Sequence, residues 1–108
     1  MSRRLTDSEL ATFHRDGFLT CPEFFGPERL AEVESWVTEI SQLPLSNSDQ
    51  VYHYFEQTDG GPTLARSENF VPHHAGIRRL LTETELVEAI SDLFGEPAVL
   101  FKEKINYK

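Results

Sequence analysis

The side chains best equipped for chemistry in this sequence are four histidines, the carboxylates near them, and the cations that gather at the C-terminal end. His14-Arg15-Asp16 has the His-x-Asp spacing of a metal-ligand pair. Two His and one carboxylate can hold a metal ion and still leave coordination positions open. That spacing works on a strand, where residues i and i+2 share a face. Here it falls in the last turn of an expected helix, where the two side chains stand about 200° apart around the axis. A His there is explained by the helix dipole. His73 and His74 are adjacent, with no carboxylate at a useful spacing, and His53 and Glu56 fall on opposite faces of an expected strand. All three histidines are read as surface or helix-entry residues. No metal site is assigned, and no nucleophile with an oriented base is present. Gly60-Gly61 lacks the strand–helix context of a nucleotide loop.

The last residues, Phe101-Lys102-Glu103-Lys104-Ile105-Asn106-Tyr107-Lys108, alternate. On a strand, Phe101, Glu103, Ile105 and Tyr107 take one face, and Lys102, Lys104, Asn106 and Lys108 the other. Slipping this register by one residue would bury Lys104 among apolar groups, and an unpaired buried ammonium is costly. A strand of this kind ordinarily has its ladder partners further along the chain. The sequence therefore reads as ending inside a larger fold.

At 108 residues, 39% of them hydrophobic, there is material for one small domain. A formal charge of −8 disfavours phosphate backbones and anionic membranes. The clusters Arg78-Arg79 and the terminal lysines are too small for a nucleic-acid stripe. Cys21 is the sole cysteine, which fits a reducing compartment, and it is expected as a buried thiol beside Leu19. No run approaches the roughly 20 apolar residues of a membrane span, and no apolar stretch follows Arg3-Arg4. The expectation is a cytoplasmic protein with a small-molecule substrate, no nucleic acid and no membrane, its oligomeric state open.

The elements that would position these residues are legible. Thr6 and Glu9 form a capping box for a helix over about Asp7–Asp16, with Leu10 and Phe13 on its buried side. Gly17 suits its C-terminal cap. Phe18–Cys21 is expected as a short strand ended by Pro22. Pro27 opens a second helix, whose Leu30, Val33, Val37 and Ile40 recur at helical spacing beside Trp36. Pro44 and the polar run Ser46–Gln50 make a loop. Val51–Glu56 and Thr63–Phe70 are expected as a hairpin with a somewhat long loop around Thr58-Asp59-Gly60-Gly61-Pro62. A helical segment over about His74–Leu81 follows, then a second capping box, Thr82 with Glu85. The last helix carries Leu86, Val87, Ile90, Leu93 and Phe94 on its buried side, with Gly95 and Pro97 stopping it. Tyr52 and Tyr54 are expected in core packing, or else at a substrate mouth.

Four pieces of this order carry a resemblance. Leu5-Thr6-Asp7-Ser8-Glu9-Leu10 with Phe13-His14-Arg15-Asp16-Gly17-Phe18-Leu19, then Phe24-Phe25-Gly26-Pro27-Glu28-Arg29-Leu30, then Leu93-Phe94-Gly95-Glu96-Pro97, then Phe101–Lys108 resemble the N-terminal portion of the phytanoyl-CoA dioxygenase family. The resemblance implies an α+β chain, residues 1–108, that forms the helical layer and first strands of a double-stranded β-helix (jelly-roll) oxygenase. It implies hydroxylation of a small molecule with iron(II) and 2-oxoglutarate, the family's metal ligands lying beyond Lys108. It also implies three cofactor-binding residues. Asn106 and Lys104 match strand positions that point into the barrel, and Arg66 matches a basic residue that reaches the co-substrate carboxylate. A solvated polar strand face and a surface Arg66–Glu68 pair are the plainer alternatives. A non-catalytic α+β interaction module is the rival for the chain as a whole.

Overall fold

The computed structural model describes residues 4–44 and 51–107. Helix α1 spans Asp7–Asp16. Thr6 Oγ1 accepts from the Glu9 amide at 3.1 Å, and Glu9 Oε1 accepts from the Thr6 amide at 2.9 Å. Two orphan donors of the first turn are thereby satisfied, as the capping box requires. Gly17 ends the helix with φ of 83°, a conformation that suits a residue without Cβ. Helix α2, Pro27–Ser41, has its proline in the first turn as read from the sequence. Between them no strand forms. The Phe24 amide donates to the Cys21 carbonyl at 3.2 Å, and Glu23 takes a φ of 58°. The run Phe18–Cys21 is apolar enough for a strand, but no described strand pairs with it, and a strand without a ladder has nowhere to send its backbone hydrogen bonds. Cys21 is only half-buried.

Strands β1, Tyr52–Thr58, and β2, Gly61–Glu68, pair antiparallel with Thr58 opposite Gly61. Asp59-Gly60 is therefore a two-residue turn, tighter than the loop expected, and Asp-Gly is among the pairs that such turns select. Tyr54 opposes Arg66 while Phe55 opposes Leu64, so Ala65 is an extra residue in β2. Strand β3, Lys104–Asn106, pairs antiparallel on the other edge of β2, giving the order β1-β2-β3. It is shorter than the alternating run. Phe101 stands before it and is 95% exposed instead of sharing the apolar face.

After a short 3-10 turn at Val71–His73 come α3, Ala75–Glu83, and α4, Glu85–Phe94. The helix-entry role falls to His74, whose Nδ1 accepts from the Ile77 amide at 3.1 Å. The second cap is Thr84, not Thr82. Thr84 is extended and its Oγ1 accepts from the Leu86 amide at 3.3 Å. Thr82 lies inside α3 and donates to the Arg78 carbonyl at 2.6 Å. The Ser/Thr-x-x-Glu pattern fits Thr82, but α3 runs through it.

Gly95 closes α4 with φ of 77°. Phe94, expected on the buried side of α4, is 65% exposed. The Asp92 carboxylate accepts from the Arg4 and Leu5 amides at 2.6 and 2.7 Å, tying the start of the chain to α4.

The core comprises Ile40, Val51, Phe70, Val71, Ile77 and Leu80, with Val33, Trp36, Leu86 and Ile105 packed against it. Helices α2 and α3 approach closely at one point, where a Cβ on Gly76 would lie 2.6 Å from the Trp36 ring. All of this packing is on one side of the sheet. The radius of gyration is 16.4 Å, against about 13 Å for a compact domain of about 100 residues.

Candidate functional site

The sheet has two unlike faces. On the covered face, Ser67 and Ile105 are cross-strand partners. Ser67 is fully buried, and Ile105 joins the core. His53, opposite Ser67 on β1, bonds to Ser67 Oγ through Nδ1 at 2.5 Å and to the Leu43 carbonyl through Nε2 at 2.8 Å. His53 is thus not a surface residue. Its partner Ser67 was invisible as such in the sequence, although the alternation that places Ile105 inward places Ser67 inward too.

The other face is open. The three residues that the resemblance singles out share it. Arg66 is the cross-strand partner of Asn106 on β3 and of Tyr54 on β1. Lys104 is the partner of Glu68, which in turn faces Tyr52. Two rungs of side chains, Tyr54–Arg66–Asn106 and Tyr52–Glu68–Lys104, thus cross all three strands. The guanidinium of Arg66 lies over the Tyr54 ring, 4.2 Å from its centroid. Such a contact holds the planar group flat against the sheet. Arg66 Nε is 2.9 Å from Glu68 Oε2. The alignment makes an ion pair but no hydrogen bond, so this buried N–H finds no hydrogen-bond acceptor among the described residues. The surface pair and the shared face therefore coexist. Tyr52 and Tyr54 are 51% and 42% exposed, so neither is in core packing.

This donor set suits a carboxylate or another small oxyanion. A guanidinium and an ammonium supply charge, and a side-chain amide supplies a directional N–H. It does not suit a metal. Among the described residues, no three His, Cys, Asp or Glu gather to hold an ion. His14 and Asp16 are exposed at the end of α1, and Asp16 is bound by Arg15 at 2.8 and 3.1 Å. The larger depressions are apolar. One of about 440 Å³ is lined by Cys21, Phe24, Phe25 and Pro27 among others, and one of about 360 Å³ lies between Phe13, Leu19 and the α4 residues Leu86 and Leu93. A third, of about 270 Å³, adjoins the polar rungs between Tyr52, Glu68, Phe101 and Lys102. Its charged lining is mixed, with Lys102 beside Glu68 and Glu103.

Over all of its 108 residues the chain is 43% identical to a methylphosphonate hydroxylase of Gimesia maris. The chain is similar to oxygenases. It is 30% identical over 104 residues to a 2-aminoethylphosphonate dioxygenase from an uncultured bacterium, and 31% identical over 102 residues to the dioxygenase lolE1 of Epichloe uncinata. The chain spans about two fifths of the length of these curated relatives, 40–41% in each case. No family model and no solved structure matches it. No helix among the described residues is long and apolar enough to cross a membrane.

Proposed function

We propose that this chain forms the first part of a single oxygenase domain that hydroxylates a small phosphonate, using iron(II) and 2-oxoglutarate, with a fold akin to the phytanoyl-CoA dioxygenase family. The observation that carries the reading is the pair of polar rungs on the uncovered sheet face. In a double-stranded β-helix, that face would be the inner wall of the barrel, closed by further strands. The helices on the opposite face, the large radius of gyration and the longer relatives all agree with such a completion. The names of two of those relatives, a methylphosphonate hydroxylase and a 2-aminoethylphosphonate dioxygenase, support the substrate class.

In this reading Arg66, held flat by Tyr54, pairs with the carboxylate of 2-oxoglutarate or with the anionic group of the substrate. Asn106 donates an amide N–H beside it, and Lys104 adds a mobile cation one rung away. A chain with net charge −8 repels anions at long range, so recognition of one depends on these local donors. Iron(II) and 2-oxoglutarate, when bound, would activate dioxygen, the oxidant of the hydroxylation. No residue described here fits the metal, and none is assigned to it.

The test is turnover by the full-length polypeptide that contains this chain. Iron(II)-dependent consumption of 2-oxoglutarate should rise when methylphosphonate or 2-aminoethylphosphonate is added, with one hydroxylated product per 2-oxoglutarate consumed. Full-length protein that retains iron and consumes no 2-oxoglutarate with any small phosphonate would contradict the reading.

A further inference from the structure

The covered face of the sheet holds a chain of hydrogen bonds that serves neither the core nor the proposed reaction directly. Tyr107 Oη donates to Ser67 Oγ at 2.8 Å. Ser67 Oγ meets His53 Nδ1 at 2.5 Å, and His53 Nε2 meets the Leu43 carbonyl at 2.8 Å. A carbonyl can only accept, so Nε2 must carry the proton. Nδ1 is then a lone pair, and Ser67 must donate to it. The direction is fixed from end to end: Tyr107 to Ser67 to His53 to Leu43. It links the residue after β3, the end of β2, the start of β1 and the segment just after α2. Every polar atom along it is satisfied only while the imidazole is neutral.

We propose that this chain is a proton-sensitive clasp that keeps β3 in register on β2 and so positions Asn106 and Lys104 against Arg66. Its members are positioning residues. Ser67 is the cross-strand partner of Ile105, and its neighbours Arg66 and Glu68 are the partners of Asn106 and Lys104. Apart from this clasp, β3 is held by a three-residue ladder, by the Tyr107 amide donating to the Ala65 carbonyl at 2.9 Å, by Ile105 against the core and by Glu103 just before it, which accepts from the Val71 amide. A ladder of three residues offers few backbone bonds, so side-chain contacts weigh heavily in its register.

Adding a proton to His53 puts an N–H on Nδ1, aimed at Ser67 Oγ. The Ser67 hydroxyl then loses its acceptor at a site with no solvent exposure, and a charge is placed on the half-buried ring beside it. Both changes are unfavourable. Among the described residues no carboxylate reaches the ring, and both its nitrogens meet uncharged partners. The charged groups on the elements around it are otherwise engaged. Glu39 of α2 is held by His74 at 2.7 Å, and Glu103 accepts from the Val71 amide at 3.2 Å. Arg66 and Glu68 project to the opposite face, and Tyr107 is the one titratable partner in the chain of bonds. Acidification therefore loosens β3, and a neutral ring restores it.

The clasp stands on geometry alone, but its effect on ligand affinity rests on the function proposed above. The test separates the two. In the full-length protein at neutral pH, nitrogen NMR shifts should show His53 with a protonated Nε2 and a bare Nδ1. After correction for the intrinsic pH dependence of exchange, protection of the Tyr107 amide should fall at least tenfold on acidification. In His53→Gln, which can donate and accept but cannot titrate in this range, protection should be flat with pH. Ser67→Ala should show low protection at every pH. A protonated Nδ1 at neutral pH, or the same pH dependence in wild type and His53→Gln, overturns the clasp. If protection responds as described while no 2-oxoglutarate binds at any pH, the clasp is upheld and the proposed reaction is what fails.

Discussion

The two faces of one small sheet follow different rules. On the covered face, Ile105 and Ser67 meet the helices, and each polar atom in the Tyr107–Ser67–His53 chain has a defined partner. On the open face, Arg66, Glu68, Lys104 and Asn106 sit side by side, the Arg66 guanidinium lying over Tyr54 and its Nε 2.9 Å from the Glu68 carboxylate. Only one residue separates the two environments along each strand. The difference teaches that stability and recognition are divided here by the alternation of the strand and not by region of sequence.

This division can be broken by substitution. The largest effect should come from the helix side. Phe70, 2% exposed at the centre of the core, should cost about 3–5 kcal/mol of stability when changed to Ala, measured by denaturant unfolding. Gly76→Ala should come next. Its Cβ would meet Trp36 at 2.6 Å, and forced overpacking costs about 1–3 kcal/mol. On the open face the penalties should shrink. Tyr54→Ala removes the ring under Arg66 and should cost about 0.5–1 kcal/mol. Lys104→Ala should shift stability by no more than about 0.5 kcal/mol. An open-face substitution as damaging as Phe70→Ala would show that further chain packs tightly on this face, and the two faces would no longer differ in kind.

Much of this arrangement was legible in the sequence because local rules decided it. The capping box at Thr6, the left-handed glycines at Gly17 and Gly95 and the alternation through Lys104–Tyr107 each act within a few residues. The parts that were not legible depend on partners far away in sequence. Phe18–Cys21 has strand-like residues but no ladder, and the Thr82 pattern is overridden because α3 continues to Glu83. The position of His53 is set by Leu43 and Ser67, neither of which marks itself as a histidine partner. Tyr52 and Tyr54 have the composition of core residues and stand on the open face because of the pairing register. That Arg66 and Asn106 are neighbours was likewise hidden, since strand alternation says which residues share a face but not which strands adjoin.

The central claim is that the open face binds the co-substrate or substrate. Calorimetric titration of 2-oxoglutarate into the full-length, iron-loaded protein under anaerobic conditions tests it most directly. Loss of a charged hydrogen-bond donor costs about 1.5–3 kcal/mol, so Arg66→Ala should weaken binding roughly 10- to 150-fold. Asn106→Ala should weaken it less, and both variants should unfold close to wild type. Undiminished 2-oxoglutarate affinity in the Arg66→Ala, Asn106→Ala double variant, with the fold intact, would contradict the account.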